Sequence, residues 1–378
     1  MAWSFKIARI AGTEVRIHFT FLLLLAWIGI ATAANSGASA GLTGILFLLL
    51  VFLCVLLHEF GHVFAALRYG ITTPKITLLP FGGVASMSRI PKQPLHELVV
   101  AVAGPMVNVL IAGVLILVRK GVPEWSDAGG IPGGGSLLDG LIWVNVILVL
   151  FNMIPAFPMD GGRAFRALLS FVVSREKATS VAAFLGQMLA VVGAVLALSW
   201  GQPILLLVAI FVFFAAGSEA SMVETEHILE GVNARGAAMS EFHTLRLNDT
   251  IQHAVDLMLN GSQADFPVVN DQGQCIGIAT RNEIIRGLRD EGPDHRVADA
   301  LETIPSQIDG EVSAVEAWQK LARSGLPAVA VVDDKGRLTH WLTRENLSEV
   351  ILTRSAIEGA EWLRQKGTRE IVDDNENA

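Results

Sequence analysis

The sequence predicts a polytopic α-helical membrane domain of about six transmembrane helices, followed by a smaller tandem pair of α/β units. Three observations carry that prediction. The 378 residues are 52% hydrophobic and only 17% charged, with a mean hydropathy of +0.51, where soluble domains carry about 25% charged residues. Six long apolar runs crowd into the first 222 residues. The charge then changes sign: residues 1–222 hold 13 basic and 9 acidic side chains, a net of +4, and residues 223–378 hold 15 and 27, a net of −12. This composition excludes a disordered chain and an ordinary cytosolic enzyme. The acidic second half excludes a nucleic-acid partner. Cys54 and Cys275 are the only cysteines, one in each half, so neither a disulfide framework nor a cysteine zinc site is available.

The runs are Ile17–Ala34, Ile45–Leu67, Leu98–Val118, Leu138–Ile154, Val181–Trp200 and Pro203–Gly217. A helix needs about 20 residues to cross the hydrocarbon core. The fourth run meets Pro155 and Pro158, and the last is short. Lys and Arg cluster at Lys6, Arg9 and Arg16, at Arg68, Lys75, Arg89 and Lys92, and at Arg163, Arg166, Arg175 and Lys177, while loops 35–41 and 201–202 carry no charge. By the positive-inside rule both termini face the cytoplasm of a cell membrane. The stretch Ile76–Arg89 is short, apolar and turn-rich, which predicts a strand or hairpin dipping along the membrane. Loop Gly129–Gly135 is predicted to be a flexible connection.

Residues 1–222 are therefore expected as the membrane domain, 223–235 as a linker, 236–355 as two α/β repeats (236–292 and 293–355), and 356–378 as a polar, acidic tail. Strands are expected at 266–269, 275–280, 327–332 and 338–343, and helices at 250–259, 281–289, 312–322 and 344–352. Thr280-Arg281 and Thr343-Arg344 stand 63 residues apart, as do Gly273 and Gly336, so the unit is repeated.

The strongest chemical signal is His58-Glu59-Phe60-Gly61-His62. On a helix, i and i+4 share a face, so both imidazoles can bind one Zn²⁺ with Glu59 beside them as general base. The motif lies inside an apolar run, where ionisable groups are costly. A catalytic zinc needs a third protein ligand, and the candidates are His18, His96, Glu97, Asp139, Asp160, Glu176 and Glu219. Most lie at span ends, where snorkelling accounts for them. Asp160 instead follows a helix broken by two prolines and precedes a glycine pair, the kind of interruption that persists at a site.

Residues 58–62 together with Asn152–Arg163 resemble the site-2 protease family of intramembrane zinc metalloproteases. The likeness covers most of residues 1–220. It includes the start from Trp3-Ser4-Phe5 to His18, Phe81-Gly82-Gly83, Glu97, Ala103-Gly104-Pro105-Met106-Val107-Asn108 and Pro158-Met159-Asp160-Gly161-Gly162-Arg163. The resemblance implies one zinc per chain on His58, His62 and Asp160, with Glu59 as catalytic acid/base and Asn152 hydrogen-bonding near the scissile peptide. It also implies a substrate that is a single-span membrane protein within the lipid bilayer.

The paired repeats are similar to a CBS domain pair, a module that commonly binds ATP or another adenine nucleotide and can form homodimers. By that likeness Thr280 and Glu283 are the nucleotide contacts, with glutamate where the usual pattern has aspartate; the second repeat lacks both the glycine and the acid. The expected function is an intramembrane zinc endopeptidase regulated by its CBS pair. The alternative is a CBS-regulated metal or ion transporter, which has no need of a base between the two histidines.

Overall fold

The computed structural model describes residues 4–80, 82–87, 91, 93–124 and 136–357, in two compact units, Met1–Val223 and Glu224–Ala378. The glycine-rich loop 129–135, Arg89, Lys92 and the acidic tail beyond residue 357 lie outside the described residues.

In the first unit, all six apolar runs are helices. They are α1 (Phe19–Ser36), α2 (Ala38–Arg68), α3 (Pro94–Arg119), α4 (Leu137–Asn152), α6 (Arg175–Ser199) and α7 (Pro203–Ile228), with a short extra helix, α5 (Asp160–Leu169), between the fourth and fifth. Five of them, of 18 to 31 residues, are long and apolar enough to cross a membrane. The fourth, α4, is the shorter one, and α7, expected to be short, is full length. The protein is thus a multi-pass membrane protein. Small residues set the helix spacing: a Cβ on Gly41 would lie 2.8 Å from the Gly29 carbonyl oxygen of α1, and one on Gly61 of α2 would lie 2.7 Å from the Ala103 carbonyl oxygen of α3.

Among the described residues, four strands accompany these helices. β1 (Ser4–Ile10) and β2 (Thr13–His18) form a hairpin, closed by Ala11 and Gly12, both at positive φ. β2 runs parallel to β3 (Lys75–Leu79), and β3 pairs antiparallel with β4 (Gly82–Ser86), giving the order β1-β2-β3-β4. The β3–β4 hairpin is the one expected within 76–89. The β1–β2 hairpin was not expected from the sequence; it alternates Val15 and Ile17 inward with Glu14 and Arg16 outward, and Val15 joins Phe21, Phe52, Val63 and Ile76 in a core.

The second unit repeats one motif. β5 (Leu245–Arg246) runs parallel to β6 (Phe266–Val269), which pairs antiparallel with β7 (Cys275–Ala279); β8 (Gln307–Asp309), β9 (Ala328–Val332) and β10 (Leu338–Thr343) repeat that topology. Between them lie α8 (Ala234–Ala237), α9 (Ile251–Asn260), α10 (Arg281–Asp290), α11 (Val297–Ala300) and α12 (Ala314–Ser324), and a helix covers 344–357. Gly273 and Gly336 take matching turn conformations, φ 75° and 74°. The linker expected at 223–235 is not one: residues 224–228 belong to α7, and Leu229 and Ala234 are buried in the second repeat's core with Ile308, Val331 and Leu342. The opening segments are exchanged between the repeats. Ala234 donates to the Val312 carbonyl and Met239 to the Trp341 carbonyl, while Ile278 donates to Thr303 and Val297 to Asp249. The sequence boundary near 292 therefore does not mark two separate cores.

Candidate metal centre

Glycine again decides what can approach. Gly104 of α3 faces His58 and His62, and a Cβ there would collide with both rings. The α3 backbone is thus the floor of the site. Opposite it, the chain leaves α4 at Asn152, folds through 153–159 and enters α5 at Asp160. Gly161 and Gly162 lie against the backbone of Met153, Ile154, Ala156 and Phe157, so any side chain at either position would push the loop away. That explains the glycine pair beside the acid.

His58 Nε2, His62 Nε2 and Asp160 Oδ2 converge, each 3.1 Å from the other two. The hydrogen bonds behind them fix what these atoms carry. The Leu141 carbonyl can only accept, so Asn145 gives it Nδ2 (2.8 Å) and turns Oδ1 toward Asn108 Nδ2 (2.7 Å). Asn108 must then present Oδ1 to His58 Nδ1 at 2.5 Å, so Nδ1 of His58 is the donor. Nδ1 of His62 likewise donates to the Val100 carbonyl at 2.7 Å. In the neutral rings both Nε2 atoms are lone pairs, and they face each other and a carboxylate oxygen. Three acceptors at this spacing call for a cation among them. Two imidazole nitrogens and one carboxylate oxygen are the donors of a catalytic Zn²⁺ site, which keeps one position open. Among the described residues one other acid–histidine group comes together, Glu291, His295 and Asp299, exposed and without this backing.

A cavity of about 530 Å³ opens on this cluster. Glu59, Asn152 and Arg163 line it with the three ligand candidates, and so do Gly82, Gly83 and Ala85 of β4. A Cβ on Gly83 would lie 2.6 Å from Glu59 Cγ, so the edge strand rests directly on the glutamate. The structure therefore brings together His58, Glu59, His62, Asn152 and Asp160.

The other third-ligand candidates go elsewhere. His18 caps α1, His96 stacks on Tyr69 with centroids 3.9 Å apart, and Asp139 pairs with Arg119. Glu97 and Glu219, expected to snorkel, are a correction: both bind Arg166, which is 0% exposed and sits 4.9 Å over the Phe157 ring. Arg166 is therefore not a basic residue of a cytoplasmic loop, because a buried guanidinium is retained only when paired. Asn108, quoted only within a motif, and Asn145 were missed as site residues, although a polar side chain inside an apolar run is a signal in itself.

In the second unit Thr280 and Glu283 are neighbours but face each other. Glu283 Oε2 accepts from the Thr280 amide and hydroxyl, both at 2.8 Å, and Oε1 accepts from the Glu302 amide and Thr303 hydroxyl. Thr280 caps α10 in return. Thr343 and Asn346 repeat the arrangement at the start of the last helix. Nearby, burial pushes the Cys275 thiol up to about 11, so it is a packing residue.

The family described as Peptidase family M50 matches residues 46–124 and 133–196, and the CBS domain matches 235–290 and 294–353. The chain is similar to a zinc metalloprotease of Methanocaldococcus jannaschii, 37% identical over 294 residues, which span 77% of this chain and 83% of that protein. It is also similar to a protein of Synechocystis sp. named for zinc metalloprotease activity, 27% identical over 93% of this chain and 97% of the relative. Among solved structures, the site-2 protease from Methanocaldococcus jannaschii is 38% identical, covers 58% of this chain and 95% of that one, and gives a TM-score of 0.44.

Proposed function

The chain belongs to peptidase family M50 and carries a CBS domain pair, and on that premise we propose that it cuts membrane-embedded segments of single-span proteins, with His58, His62 and Asp160 as zinc ligands and Glu59 as acid/base. The observation that carries this reading is the convergence of three lone-pair acceptors beside Glu59 in one cavity. When bound, zinc supplies a water of lowered pKa and polarises the scissile carbonyl. Glu59 takes the water proton and passes it to the leaving amine. Asn152 hydrogen-bonds the peptide beside the bond that breaks. A transmembrane helix hides its peptide groups, so the substrate must unwind locally. β4 is an edge strand on the cavity, and the unwound segment pairs with it by strand addition.

Both termini face the cytoplasm in this proposal, and the CBS pair regulates the protease by homodimerising and by binding an adenine nucleotide. Contact through Thr280 and Glu283 requires Glu283 to release the hydrogen bonds it now holds. The other class the sequence admits, a CBS-regulated metal or ion transporter, is not favoured by relatives named as zinc metalloproteases.

The test is cleavage of a single-span reporter co-reconstituted in liposomes, with zinc measured per chain. Wild type should cut and hold one zinc. Glu59→Gln should hold zinc and lose at least about 100-fold in rate, and Asp160→Ala should lose the metal. Cleavage by Glu59→Gln at the wild-type rate would overturn the mechanism.

A further inference from the structure

Two arginines stand one turn apart on α5 and differ in how their donors are used. All three nitrogens of Arg166 are paired: Nε and Nη2 donate to Glu97 Oε1, Nη1 reaches Glu219 Oε1 at 3.3 Å, and Phe157 covers its face. Arg163 forms none of these pairs. Its Nε is buried without a hydrogen-bond partner, and its side chain lines the cavity that holds Glu59 and Asp160. The spacing Asp160 to Arg163 is i,i+3, so both lie on one face of α5. The carboxylates of Glu219, Asp160, Glu97 and Glu59 all act on its charge. A guanidinium has five donors, and leaving one buried and unmade is costly. Nε itself is covered, but the side chain lines the cavity, so the guanidinium is placed to meet what enters it.

We propose that Arg163 is a further catalytic residue, which donates hydrogen bonds to the scissile carbonyl oxygen as that oxygen takes up negative charge. This rests on the reading that the scissile peptide lies in this cavity. As the water oxygen bonds to the carbonyl carbon, the carbonyl π pair moves onto oxygen. As that pair returns, the C–N bond breaks, and the amine takes the proton that Glu59 has carried. Charge on the carbonyl oxygen exists only between these events. A fixed cation there favours the tetrahedral species over bound substrate, which raises turnover rather than affinity. A plain counter-charge for Asp160 would instead affect metal retention.

The experiment uses the full-length, zinc-loaded chain in lipid nanodiscs, with Arg163→Gln, Arg163→Lys and Arg166→Gln compared by gel filtration for folding. Three quantities are read: zinc per chain, kcat and KM on a quenched-fluorescent apolar peptide, and the affinity for a phosphinic peptide of the same sequence, whose tetrahedral anion mimics the charged species. Arg163→Gln should keep one zinc and a KM within about threefold, lose roughly 100- to 1,000-fold in kcat, and lose phosphinate affinity in parallel. Arg163→Lys should recover part of both, while Arg166→Gln should fail by misfolding. Loss of zinc from both Arg163 variants, a KM effect with kcat unchanged, or unchanged phosphinate affinity would overturn the proposal. Wild type that holds zinc but neither cuts the peptide nor binds the phosphinate would remove the substrate reading beneath it.

Discussion

Asp160 and Glu283 are both acidic residues in the first turn of a helix, yet their carboxylates have opposite fates. Asp160 is aimed at two imidazole nitrogens that carry lone pairs, so the oxygen it turns to them meets acceptors there and no donor. Glu283 has four donors from its own chain, two of them from Glu302 and Thr303, far along the sequence. An acid is available to a ligand when the fold leaves it short of donors. The helix start alone does not say which case applies; the segment packed against it does.

Exchanging the acids is the strongest way to break this contrast. Asp160→Asn should lower zinc affinity by more than the roughly 100-fold that outer partners of a metal ligand can cost, with the unit still folded; chelator competition followed by far-UV circular dichroism reads both. Next in size is Asn108→Leu, which frees His58 Nδ1 and strands Asn145; zinc affinity should fall about 10- to 100-fold. Glu283→Ala removes a cap and a tether, so the second unit should lose about 2 kcal/mol and its thermal midpoint several degrees, measured without nucleotide. An unchanged midpoint with a vanished ATP response would make Glu283 a ligand residue like Asp160 and erase the distinction. The smallest effect concerns Cys275. With its thiol held near 11, thiolate is scarce at neutral pH, and iodoacetamide should modify it on the order of 100-fold more slowly than a free cysteine in the native protein; the lag should disappear in denaturant.

Much of this was legible in the residues. Every apolar run is a helix, His58 and His62 share a face as their spacing implies, and Asp160, picked out by the broken helix and the family resemblance, meets them beside Glu59. Three things were not legible. The β1–β2 hairpin is held by pairing to β3, some 60 residues on, which local periodicity does not register. Arg166 reads as a loop charge until Glu97 and Glu219 are found on α3 and α7. The segment 223–235 reads as a linker because its buried residues belong to the core of the later repeat. In each case the deciding partner is remote in sequence.

Gly104 has a further consequence. The two imidazoles stand edge to face, 4.8 Å apart at 80°, each tied at Nδ1 and both pressed on a bare stretch of α3 backbone. Neither ring keeps rotational freedom to surrender when a metal arrives. Ordering a free side chain costs about 0.5–1.5 kcal/mol, and here folding has already met that cost for both. Zinc fingers unfold when stripped of metal. This centre is shaped by its helices, so it should release its ion to a chelator and take it back, repeatedly, with α2 and α3 undisturbed.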